Sequence, residues 1–148
     1  MKFFADSSFL GNAYYARRTF FGNAKRVRER LAGAIHYSEM VRLEFRLGSL
    51  WTAENLDGWD QFLTDESEGR AVLVSIDWDV LLSSVEPKLR QHGRKARPDL
   101  LDTLHVLSAV QCGATHFLSY DQNSRQRPFA KSCGLKVLPE RLSSEVGA

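Results

Sequence analysis

Short apolar runs alternate along this chain with longer segments whose apolar residues recur every three or four positions. Residues 2–5 (KFFA) form an apolar run that stops at an acid, which predicts a buried strand delivering Asp6 at its C-terminal end. Ser7 or Ser8 then suits a helix N-cap, with Phe9, Leu10, Ala13 and Tyr14 spaced along one apolar face. A basic helix over residues 20–31 follows, with Gly33 near its end and a second short strand at residues 34–37. Ser38 is placed to cap a helix in which Met40, Val41, Leu43, Phe45, Leu47 and Leu50 run almost continuously. That pattern predicts a helix buried on much of its surface.

Further elements follow the same alternation. Residues 55–65 predict an amphipathic helix with Leu56, Trp59, Phe62 and Leu63 on one side. A strand is expected at residues 71–76 and a helix at 78–89. QHGRKARP at residues 91–98, with its Gly, Pro and basic residues, reads as an exposed loop. Asp99 opens the clearest helix, through Leu100, Leu101, Leu104, Val106, Leu107, Ala109 and Val110 to Gly113. A strand at residues 115–119 feeds Asp121, a short helix at 129–133 stops at Gly134, and a last strand at 135–138 stops at Pro139.

Short strands alternating with longer helices predict α/β layering around a mostly parallel sheet of about five strands. In such sheets the working groups gather beyond the C-terminal ends of the strands. Asp6 and Asp121 both fall there. No repeat, low-complexity tract or linker divides the 148 residues, so one domain is expected, with its core over about residues 2–139 and a short C-terminal tail.

Composition narrows the classes further. Hydrophobic content of 43% and charged content of 26% are ordinary for a soluble globular chain. No apolar run approaches the ~20 residues that a membrane helix needs, and Asp6 interrupts the start too soon for a signal peptide. A cytoplasmic protein is the expectation, in which Cys112 and Cys133 remain reduced thiols. The net charge is only +2, yet basic residues cluster at Arg17 and Arg18, at Lys25, Arg26, Arg28 and Arg30, and at Lys88, Arg90, Arg94, Lys95 and Arg97. Such clusters neutralise backbone phosphates in nucleic-acid-binding proteins, and equally often are solvated helix faces.

Several kinds of chemistry have no motif here: there is no GxxxxGK[ST] loop, no GxGxxG turn, no GxSxG elbow and no HExxH. What remains is carboxylates where an acid is awkward. Asp6 ends an apolar strand, Glu44 interrupts the apolar helix, Asp102 lies among leucines, and Asp121 follows an apolar strand. Buried acids are costly unless paired or bound to a metal, and an oxygen-only set suits a hard cation such as Mg²⁺ or Mn²⁺. Each also has a plainer use. Asp6 serves equally as an N-cap, Glu44 as a surface partner of Arg42 or Arg46, Asp99 or Asp102 as a helix-dipole charge, and Asp121 as a turn residue.

Taken together the segments resemble the PIN domain, and within it the VapC-type toxin ribonucleases of toxin–antitoxin pairs. FADSSFL is similar to the family's opening strand with its Asp and following Ser. HYSEMVRLEFRLG is similar to the Ser-capped helix that carries a Glu, here Glu44 in preference to Glu39 on register. LLDTLHVLSAVQCGATHFLSYD resembles the most specific segment, LDAxHLAxAxxxGAxxFxTxD, with Thr103 in place of the common Ala. AKSCGLKVLP is similar to the closing helix, Gly and strand, although Arg127-Pro128 departs from the family there and is expected to shorten that helix.

The resemblance covers residues 2–139 and implies a three-layer α/β/α sandwich with a four-acid centre at Asp6, Glu44, Asp102 and Asp121. It implies Mg²⁺ or Mn²⁺ held by Asp6, Asp102 and Asp121, with Asp6 and Asp102 as direct ligands, while Asp121 and Glu44 act through water. Asp99, three residues before Asp102 and placed to share its helix face, is either a fifth ligand or a decoy. Ser8 and Asn123 are candidate polar contacts to substrate. His105, three residues after Asp102, is read as packing against the core, as are Trp51, Trp59 and Trp78. The implied partners are an RNA substrate, a cognate antitoxin protein and a second copy in a homodimer. Tyr14, Tyr15, Phe20 and Phe21, or the helix over residues 55–65, are the candidate dimer surfaces.

Overall fold

A computed structural model describes residues 1–96, 99–122 and 125–142. Its elements in chain order are β1 (Phe3–Ala5), α1 (Ser7–Tyr14), α2 (Phe21–Arg30), β2 (Ile35–Tyr37), α3 (Glu39–Gly48) and α4 (Ala53–Ser67). These are followed by β3 (Ala71–Leu73), α5 (Trp78–Ala96), α6 (Leu100–Gln111), β4 (His116–Leu118), α7 (Gln126–Ser132) and β5 (Lys136–Leu138). The five strands form one sheet in the order β3-β2-β1-β4-β5, and all four pairings are parallel.

This order dictates the layering. From β1 the chain steps outward through β2 to β3, then returns across β1 to β4 and steps out again to β5. Parallel crossovers are right-handed, so opposite directions of travel place their helices on opposite faces. The packing agrees: α1 contacts α2, α3 and α4, whereas α6 contacts α5 and α7. The three-layer α/β/α architecture follows, and the direction reverses beside β1. In such sheets a crevice opens at that reversal, outside the carboxyl ends of the strands.

The central strands β1 and β4 are buried because helices cover both sheet faces. Phe4, Ala5, Phe117 and Leu118 have no exposed surface. On the α1–α4 side, Tyr14, Tyr15, Phe45, Trp59 and Phe62 form an aromatic cluster. Gly58 lets α4 approach α1 closely: a Cβ there would lie 2.2 Å from the Tyr14 carbonyl oxygen. Among these rings Asp65 accepts from the Tyr14 hydroxyl at 2.5 Å and pairs with Arg70 at 2.6 Å. Arg28 stacks on the Tyr14 ring, 4.2 Å from its centroid.

Several expectations need correction. The first helix is capped by Asp6, whose carboxylate accepts from Phe9 N–H, and not by Ser7 or Ser8. The strand end carries the acid straight to the open N–H groups of the next helix. The α3 helix is not buried on much of its surface: Val41 and Phe45 enter the core, while Leu43 is 60% and Leu47 54% exposed. An unbroken apolar run hides which stripe the sheet will cover, and the fold uses the i, i+4 pair. Trp51 is 83% exposed, Trp78 half-buried, and only Trp59 is core. In α4 Trp59 and Phe62 face inward, but Leu56 and Leu63 are exposed.

The loop expected from residue 91 is instead the last part of α5 through Ala96, which also contains Pro87. Gln, Arg, Lys and Ala are good helix formers, and they carry the helix past Gly93. Residues 97 and 98 lie outside the described residues. The last helix is longer than expected, because Pro128 sits in its first turn, where a missing N–H has no intrahelical partner to lose. Tyr14, Tyr15 and Phe20 are core and offer no dimer surface. Both cysteines are free, and no helix among the described residues is long and apolar enough to cross a membrane.

Candidate active site

The acids meet where the strand order reverses. Asp6 leaves β1 and Asp121 lies just beyond β4, and these two strands are paired neighbours. Asp102 enters from the first turn of α6, whose N-cap Asp99 accepts from the Asp102 N–H at 2.9 Å. Glu44 reaches in from α3. Glu39, in the first turn of the same helix, is exposed. Asp6, Glu44, Asp102 and Asp121 therefore belong to one region although they span 116 positions of sequence (6 to 121).

Asp6 is 3% exposed and surrounded by donors. Its Oδ1 accepts from Phe9 N–H at 2.9 Å and from the Ser8 hydroxyl at 2.7 Å. Its Oδ2 lies 2.7 Å from the Ser119 hydroxyl. Burial raises the Asp6 pKa, and the bonds from Ser119, Ser8 and Phe9 oppose that rise. The carboxylate is both cap and site residue, so the two uses coexist. Ser8 also accepts from Tyr120 N–H at 3.0 Å, which fastens the loop after β4 to α1. Its hydroxyl hydrogen is directed at Asp6.

Asp102 shows what the clustering costs. Burial first, then the charges of Asp99, Asp121 and Asp6, push its carboxyl up to about 7. Like charges that disfavour ionisation in this way are the donor chemistry a divalent cation relieves. In chemistry the set fits a hard cation. Among the described residues, however, no three His, Cys, Asp or Glu side chains stand in an arrangement that would hold a metal ion as they are.

Supporting residues went unread in the sequence. Ser119 is fully buried, and its hydroxyl faces Asp6 and, at 3.2 Å, Gln126 Oε1 while accepting from Asp121 N–H at 3.2 Å. Gln126, also fully buried, donates to the Asp102 carbonyl at 3.3 Å. One serine and one glutamine thus link Asp6, Asp102 and Asp121. The Arg127 guanidinium donates to the carbonyls of Ser119 and Pro139. The Ser at the end of the HFLSYD strand was the available signal for Ser119. Nothing local marks Gln126.

His105 does more than pack. It is 2% exposed, and its Nε2 lies 2.5 Å from Glu44 Oε1. Asn123 lies outside the described residues. A cleft of about 270 Å³ opens beside these groups, lined by Ser7, Ser8, Gly11, Tyr15, Arg18 and Glu44 among others. Another cleft, of about 480 Å³, lies at the opposite strand ends among Tyr14, Arg28, Ile35, Asp65 and Arg70. There Arg28 and Arg70 both pair with Asp65, and none of the site acids lines it.

No family model matches the chain, and no curated protein sequence matches it. Among solved structures, it is similar to a chain of the crystal structure of VapBC2 from Rickettsia felis bound to a DNA fragment from their promoter. That likeness has a TM-score of 0.63 at 16% identity and covers 93% of this chain and 97% of that one. At this identity the likeness speaks to fold. With five parallel strands between two helical layers and a solved VapBC2 chain superposing along nearly its whole length, the protein has the PIN-like α/β/α fold that its acidic segments imply.

Proposed function

We propose that this protein is a Mg²⁺- or Mn²⁺-dependent endoribonuclease and the toxin member of a toxin–antitoxin pair. The observation that carries the reading is the convergence of Asp6, Asp102 and Asp121 at the reversal of strand order, where burial, with the charges of Asp99, Asp121 and Asp6 added to it, pushes Asp102 up to about 7. Asp6, Asp102 and Asp121 would hold the cation. Bound there, Mg²⁺ or Mn²⁺ supplies Lewis-acid polarisation of the phosphate and lowers the pKa of water.

The chain's own residues supply position. Ser8, Ser119 and Phe9 N–H fix the Asp6 carboxylate. Gln126 and Asp99 fix the first turn of α6, and so Asp102. Glu44, held through Oε1 by His105, orients the attacking water with Oε2. The water oxygen forms the new bond to phosphorus and a carboxylate of the set accepts its proton, while the leaving ribose oxygen departs with the bonding pair and takes a proton from solvent.

The partner reading rests on two supports. The similar Rickettsia structure is a VapBC2 assembly. This chain also carries an exposed apolar ridge of Leu43, Leu47, Leu50 and Trp51 that a partner protein would cover. A homodimer through the exposed Leu56 and Leu63 of α4 is part of the same proposal. Cytoplasmic residence goes with an RNA substrate.

The test compares single-stranded RNA, DNA and a small phosphate ester as substrates with Mn²⁺ present. Cleavage of RNA that is lost in Asp6→Asn and in Asp102→Asn supports the reading, and unchanged cleavage in either variant overturns it. A second reading, a non-catalytic module that binds RNA or protein, is favoured by the spacing of the acids, which stand in no metal-holding arrangement among the described residues. Calorimetric titration with Mn²⁺ separates the two, since an absence of heat at millimolar ion supports the binding module.

A further inference from the structure

The cleft between α1 and α3 has an uneven chemistry. Glu44 and Ser8 connect it to the acids, Gly11, Gly48 and Tyr15 line it, and among the described residues the one cation on its wall is Arg18. The Arg18 guanidinium lies over Gly11, 3.6 Å from where a Cβ would stand. Its sequence neighbour Arg17 is paired with Glu54 at 2.8 Å. Among the described residues, Arg18 has no carboxylate within ion-pair distance.

That lone cation matters because of what surrounds it. Asp6, Glu44, Asp99, Asp102 and Asp121 repel an approaching phosphate, and a cation held in the same cleft offsets that repulsion locally. A guanidinium is suited to a phosphodiester, since its fork donates to two oxygens at once. Tyr15 closes one side of the cleft, and its ring would meet a Cβ at Gly48 at 3.1 Å, so a side chain there would crowd the wall.

We infer that this cleft is a subsite for the RNA backbone next to the scissile bond, and that Arg18 pairs with a phosphate there. The inference rests on the nuclease reading for its substrate, but it concerns binding and is measured without metal or turnover. Arg18 is a substrate-binding residue in this scheme and takes no part in bond breaking.

The experiment is fluorescence anisotropy of a labelled single-stranded RNA of about ten nucleotides with the full chain in EDTA, over a range of salt. Arg18→Ala is expected to weaken binding roughly five- to twentyfold and to reduce the slope of log K against log salt by about 0.7, the share of one phosphate contact. Arg18→Lys should restore the slope and part of the affinity. Lys136→Ala, at an exposed position where β5 begins and away from the strand ends that carry the acids, is the control and should leave both unchanged. Equal affinity and slope in Arg18→Ala and the wild type overturn the subsite, as does a wild type that binds no RNA. RNA binding that depends on Arg18 but is never followed by cleavage with Mn²⁺ supports the subsite while defeating the nuclease reading.

Discussion

His105 Nε2 stands 2.5 Å from Glu44 Oε1, joining α6 to α3 across 61 residues of chain. The pair spans the site: Glu44 lines the cleft with Arg18, and His105 stands on α6 close to Asp6 and Asp102. The Nδ1 atom of His105 is buried and finds no partner among the described residues. A hydrogen on Nε2 satisfies Glu44 and leaves Nδ1 as an acceptor lone pair, the cheaper atom to leave alone. His105 is therefore a positioning residue for Glu44.

Replacing it separates positioning from packing. His105→Gln keeps a donor near the Nε2 position and should retain RNA cleavage within roughly threefold. His105→Leu fills similar volume without a donor and should lower kcat by about tenfold or more, with KM little changed, since an interaction that orients a reacting group acts in the transition state. Steady-state kinetics of both variants with RNA and Mn²⁺ check this. Equal kcat in the two variants would show that only the volume of the ring matters.

Asp102 predicts a conflict between stability and function. Its folded-state pKa is raised from 3.8 to about 7 by burial and by Asp99, Asp121 and Asp6. The folded state therefore prefers the protonated form. The associated stability is complete below about pH 4 and is lost as pH rises through 7. Asp102→Asn should stabilise the metal-free protein at pH 8 by about 1–2 kcal/mol, after discounting the shift for solvent screening, and should have little effect near pH 4. Urea melts of both proteins in EDTA at the two pH values test it, and a destabilised variant at pH 8 refutes it.

Asp65 gives the opposite sign. Burial pushes its pKa up, but hydrogen bonds from Tyr14, Arg70 and Gln61 and the charge of Arg28 outweigh burial and hold it below 3.8. A depressed pKa contributes stability above the unfolded value, and that contribution is lost as pH falls below about 4. Asp65→Asn should cost roughly 2–3 kcal/mol at pH 7, because Arg28 and Tyr14 lose a buried anionic partner. The difference from wild type should shrink as the pH is lowered toward 2. Denaturant midpoints at pH 7, 4 and 2.5 check both the magnitude and the trend.

Gly58 is the tightest packing point. A Cβ 2.2 Å from the Tyr14 carbonyl and 3.0 Å from the Tyr15 ring has no flexible neighbour to displace. Gly58→Ala should therefore destabilise by about 2–3 kcal/mol through overpacking, although Ala is the better helix former. A thermal melt reads the loss directly. An unchanged or higher Tm would mean that α4 can move off α1 freely.

How much of this was legible in the sequence depends on range. The strands at Phe3–Ala5, Ile35–Tyr37, His116–Leu118 and Lys136–Leu138 lie inside the apolar runs that predict them, because a run bounded by polar residues is a local signal. The caps at Ser38 and Asp99 were readable for the same reason: a short polar side chain satisfies N–H groups three residues on. Asp6, Asp102 and Asp121 stood out as acids within apolar sequence, a weak signal for each alone that their joint spacing and the family resemblance strengthened, and Glu44 was preferred over Glu39 on the register of that resemblance.

What the sequence could not contain was who meets whom. Strand order is set by which sheet edges pair, a property of the whole chain, and it alone brings β1 beside β4 and so Asp6 beside Asp121. The same holds for the exposed leucines of α3, whose burial depends on which stripe the aromatic cluster covers. Ser119, Gln126 and His105 are ordinary residues in their own segments. They become parts of the site only because folding buries their polar atoms, and a buried polar atom must find a partner however distant it is in sequence.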